Sequence, residues 1–384
     1  MFSIDQVSTQ KIRRKIASDG VRSTLTAGLE FVSRKYLVRP IIARAIDQGT
    51  IVTVGRTDLV GGYPTFFLGE PSTPPESFVA VLSDAFVLGS TGIVVTDDGA
   101  IVSASIGTSD SNARYLAGPF VHHLFRDGVR VTNSLVRNNT TYLNKRAIDR
   151  NVISPLIPRY VNYYHWMIET LPRLRTIENF VDKGGPKPTL VLPEDTSPWM
   201  HESLELAIGD EFQTEIVTNP VYRGTKVVLA DRPQVTRENI DWISNRLRKH
   251  ALIEPGTTSK RVYISRGDAN ERHIVNEKDV VEILREYGFQ TYQLETMPVE
   301  EQIELFTDAE IVIAPHGAGL TNIMFCQETT VIELFGSLVK YPFRRLANTL
   351  EHEYHAIYCE PRETDLYVDP EVLREHVEKC LQNE

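Results

Sequence analysis

A histidine and two glycines directly follow an apolar run in the segment EIVIAPHGAGLTNIMF, residues 310–325. The run predicts a buried strand, and the residues after the glycines predict a helix. Glycine lets a ligand approach the main chain closely, and the free N–H groups at the start of a helix attract anions. His316 adds a side chain that can donate to a phosphate or neutralise a departing diphosphate. The turn therefore indicates an anion site, and a tight turn whose glycines serve only packing is the alternative.

The same turn offers further contacts to an anion. Thr321 and Asn322 fall in the first turn of the predicted helix, where their side chains add hydrogen-bond donors. The remaining residues that we assign to the anion site are Gly317, Ala318, Gly319 and Leu320. The turn matches neither GxxxxGK(S/T) nor GxGxxG, so we expect no P-loop and no nicotinamide or flavin cofactor.

Two arginines are expected near this turn. Arg266 directly follows the predicted strand RVYIS, and Arg272 lies in the loop that leads to the next helix. The carboxyl ends of parallel strands meet at one edge of a sheet, where ligands gather, and guanidinium groups match phosphate oxygens. Both arginines are therefore candidates for binding the anion. A surface ion pair of Arg266 with Asp268 or Glu271 is the alternative.

A glutamate is predicted near the end of the next apolar strand, TTVIELF, residues 329–335. A carboxylate in such a strand is costly to bury unless something uses it. Carboxylates at this place commonly accept the hydroxyls of a ribose, and we favour that role for Glu333 over a charge that faces solvent. The chain contains no Asp-x-Asp sequence. Such carboxylate pairs usually hold the divalent metal of a nucleotide diphosphate, so we expect no metal.

A second histidine and glutamate stand in the segment NYYHWMIETLPRL, residues 162–174. His165 and Glu169 are four residues apart, hence on one face of the predicted helix, and Arg173 continues the row. The carboxylate can orient the imidazole, and a histidine held in this way can act as a general base. A buried structural network is the alternative. The spacing HxxxE differs from HExxH, so zinc is not indicated.

Length, charge and cysteine content narrow the class of protein. The chain has 384 residues, enough for two domains, and its net charge of −10 argues against general nucleic-acid binding. The first 50 residues nevertheless carry nine Lys and Arg against four Asp and Glu, a balance of +5. A basic helix there either packs on the protein or lies on an anionic membrane surface. Three widely spaced cysteines and a start without an apolar signal segment favour the cytoplasm.

Predicted strands and helices alternate from about residue 150, which is typical of parallel sheets with right-handed crossovers. The segment IEPGTTSK, residues 253–260, interrupts the alternation and is typical of a linker. The predicted parts are an N-terminal helical segment at 1–50, a first domain at 51–252 that begins with a β-rich flank, a second, Rossmann-like domain at 258–360, and a C-terminal helix at 361–384 that packs back on the first domain.

Three segments of the chain resemble the family 61 glycosyltransferases. They are NYYHWMIETLPRL, VYISRGDANERHIVNE and EEQIELFTDAEIVIAPHGAGLTNIMFCQETTVIEL, of which the last is the longest and most specific. The resemblance runs from about Asn162 to Phe335, roughly half of the chain. This family includes capsular polysaccharide biosynthesis proteins, the EGF-domain O-GlcNAc transferase and plant xylan xylosyl- and arabinosyltransferases.

The resemblance implies a GT-B arrangement, in which two facing Rossmann-like domains enclose a cleft. It also implies inversion at the anomeric carbon without an obligatory metal. The residues that it assigns to the nucleotide-sugar site are Arg266, Asn276, His316, Gly317, Gly319 and Glu333. The base would be His165 or Glu169, and the choice between these two stays open.

We therefore expect an inverting, metal-independent glycosyltransferase of surface polysaccharide, extracellular polysaccharide or protein-linked glycan assembly, without a cofactor. Its partners would be a nucleotide-sugar donor and a glycan, lipid-linked or polysaccharide acceptor. We expect it in the cytoplasm, with a peripheral membrane contact through the N-terminal helix left open. A two-domain nucleotide-sugar epimerase and a non-catalytic nucleotide-sugar-binding partner of a polysaccharide complex are the alternatives. The sequence leaves open the donor, its nucleotide, the acceptor, the linkage and the oligomeric state.

Overall fold

The computed structural model describes most of the chain after residue 139. The described residues are 51–52, 78–89, 91–99, 101–102, 105, 140–158, 160–254, 256, 258–267, 269 and 271–382. The predicted N-terminal helical segment at 1–50, for which a membrane contact was left open, lies outside them. The chain divides into two compact units, and among the described residues one ends at Gln234 and the other begins at Val235.

The described residues of the first unit are built on a mixed sheet of eight strands. They are β1 (Ile51–Val52), β2 (Val79–Leu88), β3 (Val94–Val95), β4 (Ile101–Val102), β5 (Ile148–Pro155), β6 (Thr189–Leu192), β7 (Thr214–Ile216) and β8 (Val221–Ala230). The strand order is β1-β4-β3-β2-β8-β5-β6-β7. Strands β8, β5, β6 and β7 are parallel, whereas β2 and β3 extend the sheet by antiparallel pairing. Strands β3 and β4 pair in antiparallel fashion, as the Asp-Asp-Gly sequence at 97–99 between them predicts, because an Asp-Gly turn is typical of a hairpin.

Four helices of the first unit lie within the described residues. They are α1 (Thr141–Arg146), α2 (Tyr163–Glu169), α3 (Arg173–Asp182) and α4 (Pro198–Ile208). The sequence predicted one helix where the structure has α2 and α3. The break falls at Pro172, which precedes the first residue of α3, because proline lacks an N–H group and clashes with the preceding turn of a helix. Glu169 therefore ends one helix and Arg173 begins the next.

The second unit is built on a parallel sheet of five strands. They are β9 (Lys260–Ile264), β10 (Gln290–Tyr292), β11 (Ala309–Pro315), β12 (Thr330–Phe335) and β13 (Glu353–Tyr358), in the order β10-β9-β11-β12-β13. A separate antiparallel hairpin follows, β14 (Glu360–Arg362) with β15 (Asp365–Tyr367). The helices are α5 (Arg237–His250), α6 (Glu277–Glu286), α7 (Val299–Thr307), α8 (Pro342–Leu350) and α9 (Pro370–Gln382), with 3-10 helices at Leu294–Thr296 and Ala318–Phe325.

These two sheets confirm the mixed α/β class, and both are rich in parallel strands, as Rossmann-like domains are. In each unit buried aliphatic residues cover the sheet, for example Ile153 and Val227 in the first, and Ile313 and Ile332 in the second. No helix within the described ranges is both long enough and apolar enough to cross a bilayer.

The last helix packs within the second unit. Leu373, Val377 and Cys380 of α9 belong to the same buried cluster as Val280 and Leu284 of α6, and Arg374 of α9 is paired with Glu286. The prediction that this helix packs back on the first domain is thereby corrected. The apolar stripe of α9 was visible in the sequence, but a stripe does not identify the surface that covers it.

Helix α5 also belongs to the second unit, whereas the sequence assigned it to the first domain. Its buried stripe, Ile240, Ile243 and Leu247, packs near α7 and the 3-10 helix Ala318–Phe325. The linker after it is tied to the same unit, because Asp308 accepts hydrogen bonds from the N–H groups of Gly256 and Ser259. The structural division therefore falls before α5, between Gln234 and Val235.

Candidate active site

The glycine turn follows β11 directly, as predicted, and the N–H of His316 still bonds to Leu334 of the neighbouring strand β12. The segment after it is a 3-10 helix, Ala318–Phe325, where an α-helix was expected. Six of its eight residues, Leu320–Phe325, are buried. A 3-10 helix has hydrogen bonds between residues three apart, so it is wound more tightly than an α-helix. Gly317 directly precedes the first residue of this helix, so the N–H groups near it lie at the helix N-terminus.

The two glycines of the turn serve different purposes. A Cβ atom on Gly317 would lie 2.1 Å from Nη1 of Arg266, so the absent side chain makes room for the guanidinium against the main chain. A Cβ atom on Gly319 would lie 3.1 Å from Leu294 and 3.4 Å from Ile264, which are aliphatic neighbours. Gly319 thus serves packing, which is the alternative named above. The missing side chain of Gly317 instead allows the guanidinium of Arg266 to contact the turn.

Arg266 and Arg272 are close enough for their charges to interact. Arg266 donates from Nε and Nη2 to the main-chain carbonyl of Glu271 at 3.4 and 3.3 Å. Burial, followed by the charge of Arg272, lowers the pKa of Arg266 to about 10, although the carboxylates of Glu295 and Glu271 oppose this. Burial also lowers the pKa of Arg272. Both guanidinium groups are therefore destabilised as cations, and an added anion would relieve them.

The main chain of Arg272 has an unusual conformation. Its φ of 67° lies in the left-handed region, which is uncommon for residues other than glycine. Its N–H bonds to the carbonyl of Thr364, in the turn between β14 and β15. Its buried Nε has no hydrogen-bond partner among the described residues. Buried donors of this kind call for an explanation such as an absent ligand.

His316 lies deeper, in a chain of three buried or half-buried side chains. Its Nδ1 is 2.5 Å from Oε1 of Glu333, and the hydroxyl of Tyr354 donates to the other carboxylate oxygen, Oε2, at 2.5 Å. The imidazole packs beside Phe335 and Phe343, with ring centroids at 5.5 and 5.4 Å. The carboxylate of Glu333 therefore does not face solvent, and each of its two oxygens has a hydrogen-bond partner.

The other residues assigned to this site have mainly structural surroundings. Asn276 uses both ends of its amide on the main chain of Val368, at 2.8 and 3.1 Å, and does not cap α6 through its side chain. Asn322 donates to Gln302 in the interior at 2.9 Å. Thr321 is fully buried, and its hydroxyl has no partner within the described part of the chain.

Ala318 and Leu320 complete the turn. Leu320 is fully buried with the apolar core, whereas Ala318 is half-buried. Of the predicted anion-site residues, the structure therefore brings together Arg266, Arg272 and the main chain at Gly317, with His316 next in sequence. It does not open Asn276, Asn322 or Leu320 toward a ligand.

The second histidine–glutamate pair lies in the first unit, on α2. Asn162 caps this helix by accepting from the N–H groups of Tyr164 and His165 at 2.8 and 3.4 Å. One turn on, Nδ1 of His165 is 2.6 Å from Oε2 of Glu169, which confirms the pairing that the spacing indicated. The Glu169 side chain is almost fully buried, whereas 27% of the His165 side chain is exposed.

Two arginines surround Glu169, and sequence reasoning named only one of them. Arg232 binds Oε1 of the carboxylate, whereas Arg173 donates to the main-chain carbonyl of Glu169 at 3.2 Å. Burial raises the pKa of Glu169, but the bond from His165 and the charge of Arg232 outweigh it, so the pKa is lowered overall. Burial, then the nearby charge of Arg232, lowers the pKa of Arg173 to about 10.

Arg232 carried a signal that the sequence prediction did not use. It follows strand β8 by two residues, in KVVLADRPQ, and a strand-end position was the reason for selecting Arg266. The preceding residue, Asp231, accepts from the N–H of Phe78 and so holds this strand end to the start of β2.

Comparison with models of known protein families gives a match. The family model described as Glycosyltransferase 61 matches residues 163–332, from the first residue of α2 into β12. No curated protein matches the chain. Within the described ranges, no three His, Cys, Asp or Glu side chains gather as a metal-binding group. Residues 163–332 therefore form a glycosyltransferase family 61 domain, and the chain is a glycosyltransferase.

Proposed function

We propose that the protein transfers a sugar from a nucleotide-sugar donor to a hydroxyl of a glycan, lipid-linked or polysaccharide acceptor. The transfer inverts the anomeric carbon, needs no metal, and belongs to polysaccharide or glycan biosynthesis. The observation that carries this proposal is the guanidinium of Arg266 lying against Gly317, beside Arg272.

A diphosphate fits this place for reasons of charge and shape. Burial lowers the pKa of both arginines, and the charge of Arg272 lowers that of Arg266 further, so a polyanion would offset both costs at once. Guanidinium groups donate in a planar fork that matches phosphate oxygens. The buried Nε of Arg272, to which no described residue bonds, supplies one more donor. In the transition state these groups would stabilise the charge that develops on the departing diphosphate.

The first unit supplies the general base in this proposal. The carboxylate of Glu169 holds Nδ1 of His165, which leaves Nε2 to accept the proton of the acceptor hydroxyl. The hydroxyl oxygen bonds to the anomeric carbon while the bond from that carbon to the diphosphate breaks. The nucleoside diphosphate leaves from the opposite face, and the configuration inverts.

An assay of acceptor dependence tests this function. Nucleotide release is measured for UDP, GDP, CMP and dTDP sugars, with and without a panel of saccharide acceptors. The proposal predicts release that depends on an acceptor. Conversion of a donor alone would favour an epimerase, and the absence of any turnover would favour a binding partner.

Two arginine variants make the assay specific to the proposed site. Arg266→Ala removes the cation at the turn and should lower kcat/KM by about 100- to 1000-fold. Arg261→Ala is the matched control, because Arg261 stands on the same strand, β9, but pairs with Glu310. Equal effects of the two substitutions would contradict the role of Arg266.

A further inference from the structure

Glu333 is unsuited to the ribose role that its position in the sequence favoured. Its residue is 0% exposed, and both carboxylate oxygens are bound within the protein, one by His316 and the other by Tyr354. A sugar hydroxyl would have to displace one of these partners. Glu333 and Tyr354 also lie beyond residues 163–332, where the family match ends.

Charge balance gives this carboxylate a different role. A fully buried carboxylate is costly unless a positive or hydrogen-bonding partner compensates for it. Burial, and then the bond to Glu333, raises the pKa of the Tyr354 phenol well above its usual value, so the phenol is a neutral donor. Among the described residues, His316 is the one group bonded to the carboxylate that can carry a positive charge.

Other charged groups act on this chain only from farther away. Arg344 of α8 is exposed and influences the phenols of Tyr354 and Tyr358 through its charge. Arg266 lies on Gly317, the residue after His316. Neither forms a hydrogen bond with Glu333 in the described structure, so the imidazole is the bonded group that can supply a counter-charge.

The bond to Glu333 also decides which imidazole nitrogen is available. A carboxylate accepts, so Nδ1 of His316 carries the donated proton. Phe335 and Phe343 pack beside the ring and restrict its rotation. Nε2 is then the nitrogen left for a ligand, and no described residue bonds to it. A buried ionic pair is weak support for stability on its own, which favours a functional reason for this one.

We propose that Glu333 and Tyr354 are positioning residues for His316, and that the chain Tyr354–Glu333–His316 presents Nε2 of the histidine to the donor. This inference rests on the proposed function, because the donor diphosphate, whose oxygens accept hydrogen bonds, is the group to which Nε2 would donate when the imidazole is protonated. It replaces ribose binding by Glu333 with a role exerted through the histidine. Tyr354, which the sequence did not single out, becomes part of the site.

Tyrosine-to-phenylalanine substitutions test the chain with a close control. Tyr354→Phe removes only the hydroxyl that holds Glu333. Tyr263→Phe is the control, because the buried Tyr263 of β9 donates to Glu277 at 2.8 Å in the same unit, with no histidine assigned to that pair. Turnover is measured with the nucleotide sugar and acceptor that the wild-type protein uses in the panel described above.

The inference predicts a specific kinetic pattern. Tyr354→Phe should lower kcat by up to about 100-fold, as loss of positioning can, and leave the donor KM within about twofold, as expected when a transition-state interaction is lost. Tyr263→Phe should leave both constants unchanged. Glu333→Gln should follow Tyr354→Phe with a larger loss of kcat. A raised donor KM with unchanged kcat in Glu333→Gln would support ribose binding and overturn the inference.

A spectroscopic comparison keeps the inference testable where a variant folds poorly or the wild-type protein shows no turnover. In protein labelled with ¹⁵N-histidine, His316 should give an imidazole Nδ1–H signal protected from solvent exchange, assigned by its loss in His316→Gln. Tyr354→Phe should shift this signal, and Tyr263→Phe should not. Absence of the signal in the wild-type protein, or its insensitivity to Tyr354→Phe, would overturn the inference. Absence of wild-type transfer alone would instead count against the proposed function.

Discussion

The two units of this protein each hold a histidine paired with a glutamate at nearly the same distance. Nδ1 of His165 is 2.6 Å from Glu169, and Nδ1 of His316 is 2.5 Å from Glu333. The pairs differ in what holds the other carboxylate oxygen. In the first unit it is the guanidinium of Arg232, and in the second it is the neutral phenol of Tyr354.

This difference separates two uses of the same pair of side chains. Arg232 balances the charge of Glu169, so His165 is oriented by the carboxylate without being needed as its counter-charge. The His165 side chain is also 27% exposed, against 7% for His316, which gives solvent and substrate better access to it. Exposure and independent charge balance suit a histidine that takes up and releases a proton. In the second pair the histidine is buried, and it is the one described group bonded to Glu333 that can carry a positive charge. Such a histidine is suited to being held in one orientation.

The largest expected effect is on turnover when the proposed base is lost. His165→Ala should lower kcat by about 100- to 10,000-fold, with little change in nucleotide affinity, since the donor site is proposed in the other unit. His201→Ala, a half-buried histidine on α4 with no assigned role, is the control. Steady-state kinetics and calorimetry measure both quantities, and wild-type turnover in His165→Ala would rule out this base.

The histidine of the second pair should also matter, although less. His316→Ala should lower kcat by about 100- to 1000-fold, as the loss of one group that stabilises developing negative charge does. The control is His355→Ala, because His355 of β13 also pairs with a glutamate, Glu353, at 2.8 Å but near the surface. Equal kcat values for these two variants would contradict a specific role of His316 in turnover.

Removing the cation of the first pair should lower stability. Arg232→Gln leaves the buried carboxylate of Glu169 with one partner fewer, and we expect to lose about 1.5 to 3 kcal/mol of the free energy of unfolding. Arg223→Gln breaks the exposed ion pair with Asp84 and should change it by about 0.5 kcal/mol. Urea titrations measure both, and equal losses would show that Arg232 does not balance a buried charge.

The smallest effect is a pH dependence that belongs to the first pair. The pKa of Glu169 is lowered from its ordinary value of 4.5, so the folded state binds its proton less readily than the unfolded chain. The resulting stabilisation is fully present above pH 4.5 and is lost as the pH falls through the lower, folded-state pKa. The stability difference between wild type and Glu169→Gln should therefore shrink in acid. A difference that is constant from neutral pH down to acid would contradict this linkage.

Much of the architecture was accessible from the sequence because it depends on local patterns. The alternation of apolar runs and amphipathic segments predicted the parallel strands, and the Asp-Asp-Gly turn predicted the hairpin of β3 and β4. The spacing of His165 and Glu169 sufficed to predict their pairing, since four residues make one helical turn. The strand-to-helix turn at Gly317 was likewise predicted from local residue types.

The remaining features depend on contacts between distant segments. Arg232 meets Glu169 across 63 residues of sequence, and Tyr354 meets Glu333 across 21. Neither partner has a periodic signal of its own. The surfaces that bury α5 and α9 were not readable for the same reason, because an apolar stripe predicts burial without naming its neighbour. The different roles of Gly317 and Gly319 could not be predicted, because they depend on where Arg266 and Leu294 lie in the folded structure.

The measurement closest to the central claim compares nucleotide binding in two single-methyl variants of the turn. Gly317→Ala places a Cβ atom where Nη1 of Arg266 lies, whereas Gly319→Ala presses only on Leu294 and Ile264. Thermal shifts are recorded with UDP, GDP, CMP and dTDP, and a nucleotide at 100 times its dissociation constant should add about 2.7 kcal/mol of stability. We predict that at least one of the nucleoside diphosphates UDP, GDP and dTDP stabilises the wild-type protein and Gly319→Ala but not Gly317→Ala. Equal stabilisation of both variants, or no stabilisation of the wild-type protein by any of these three, would contradict a diphosphate site at Arg266 and Gly317.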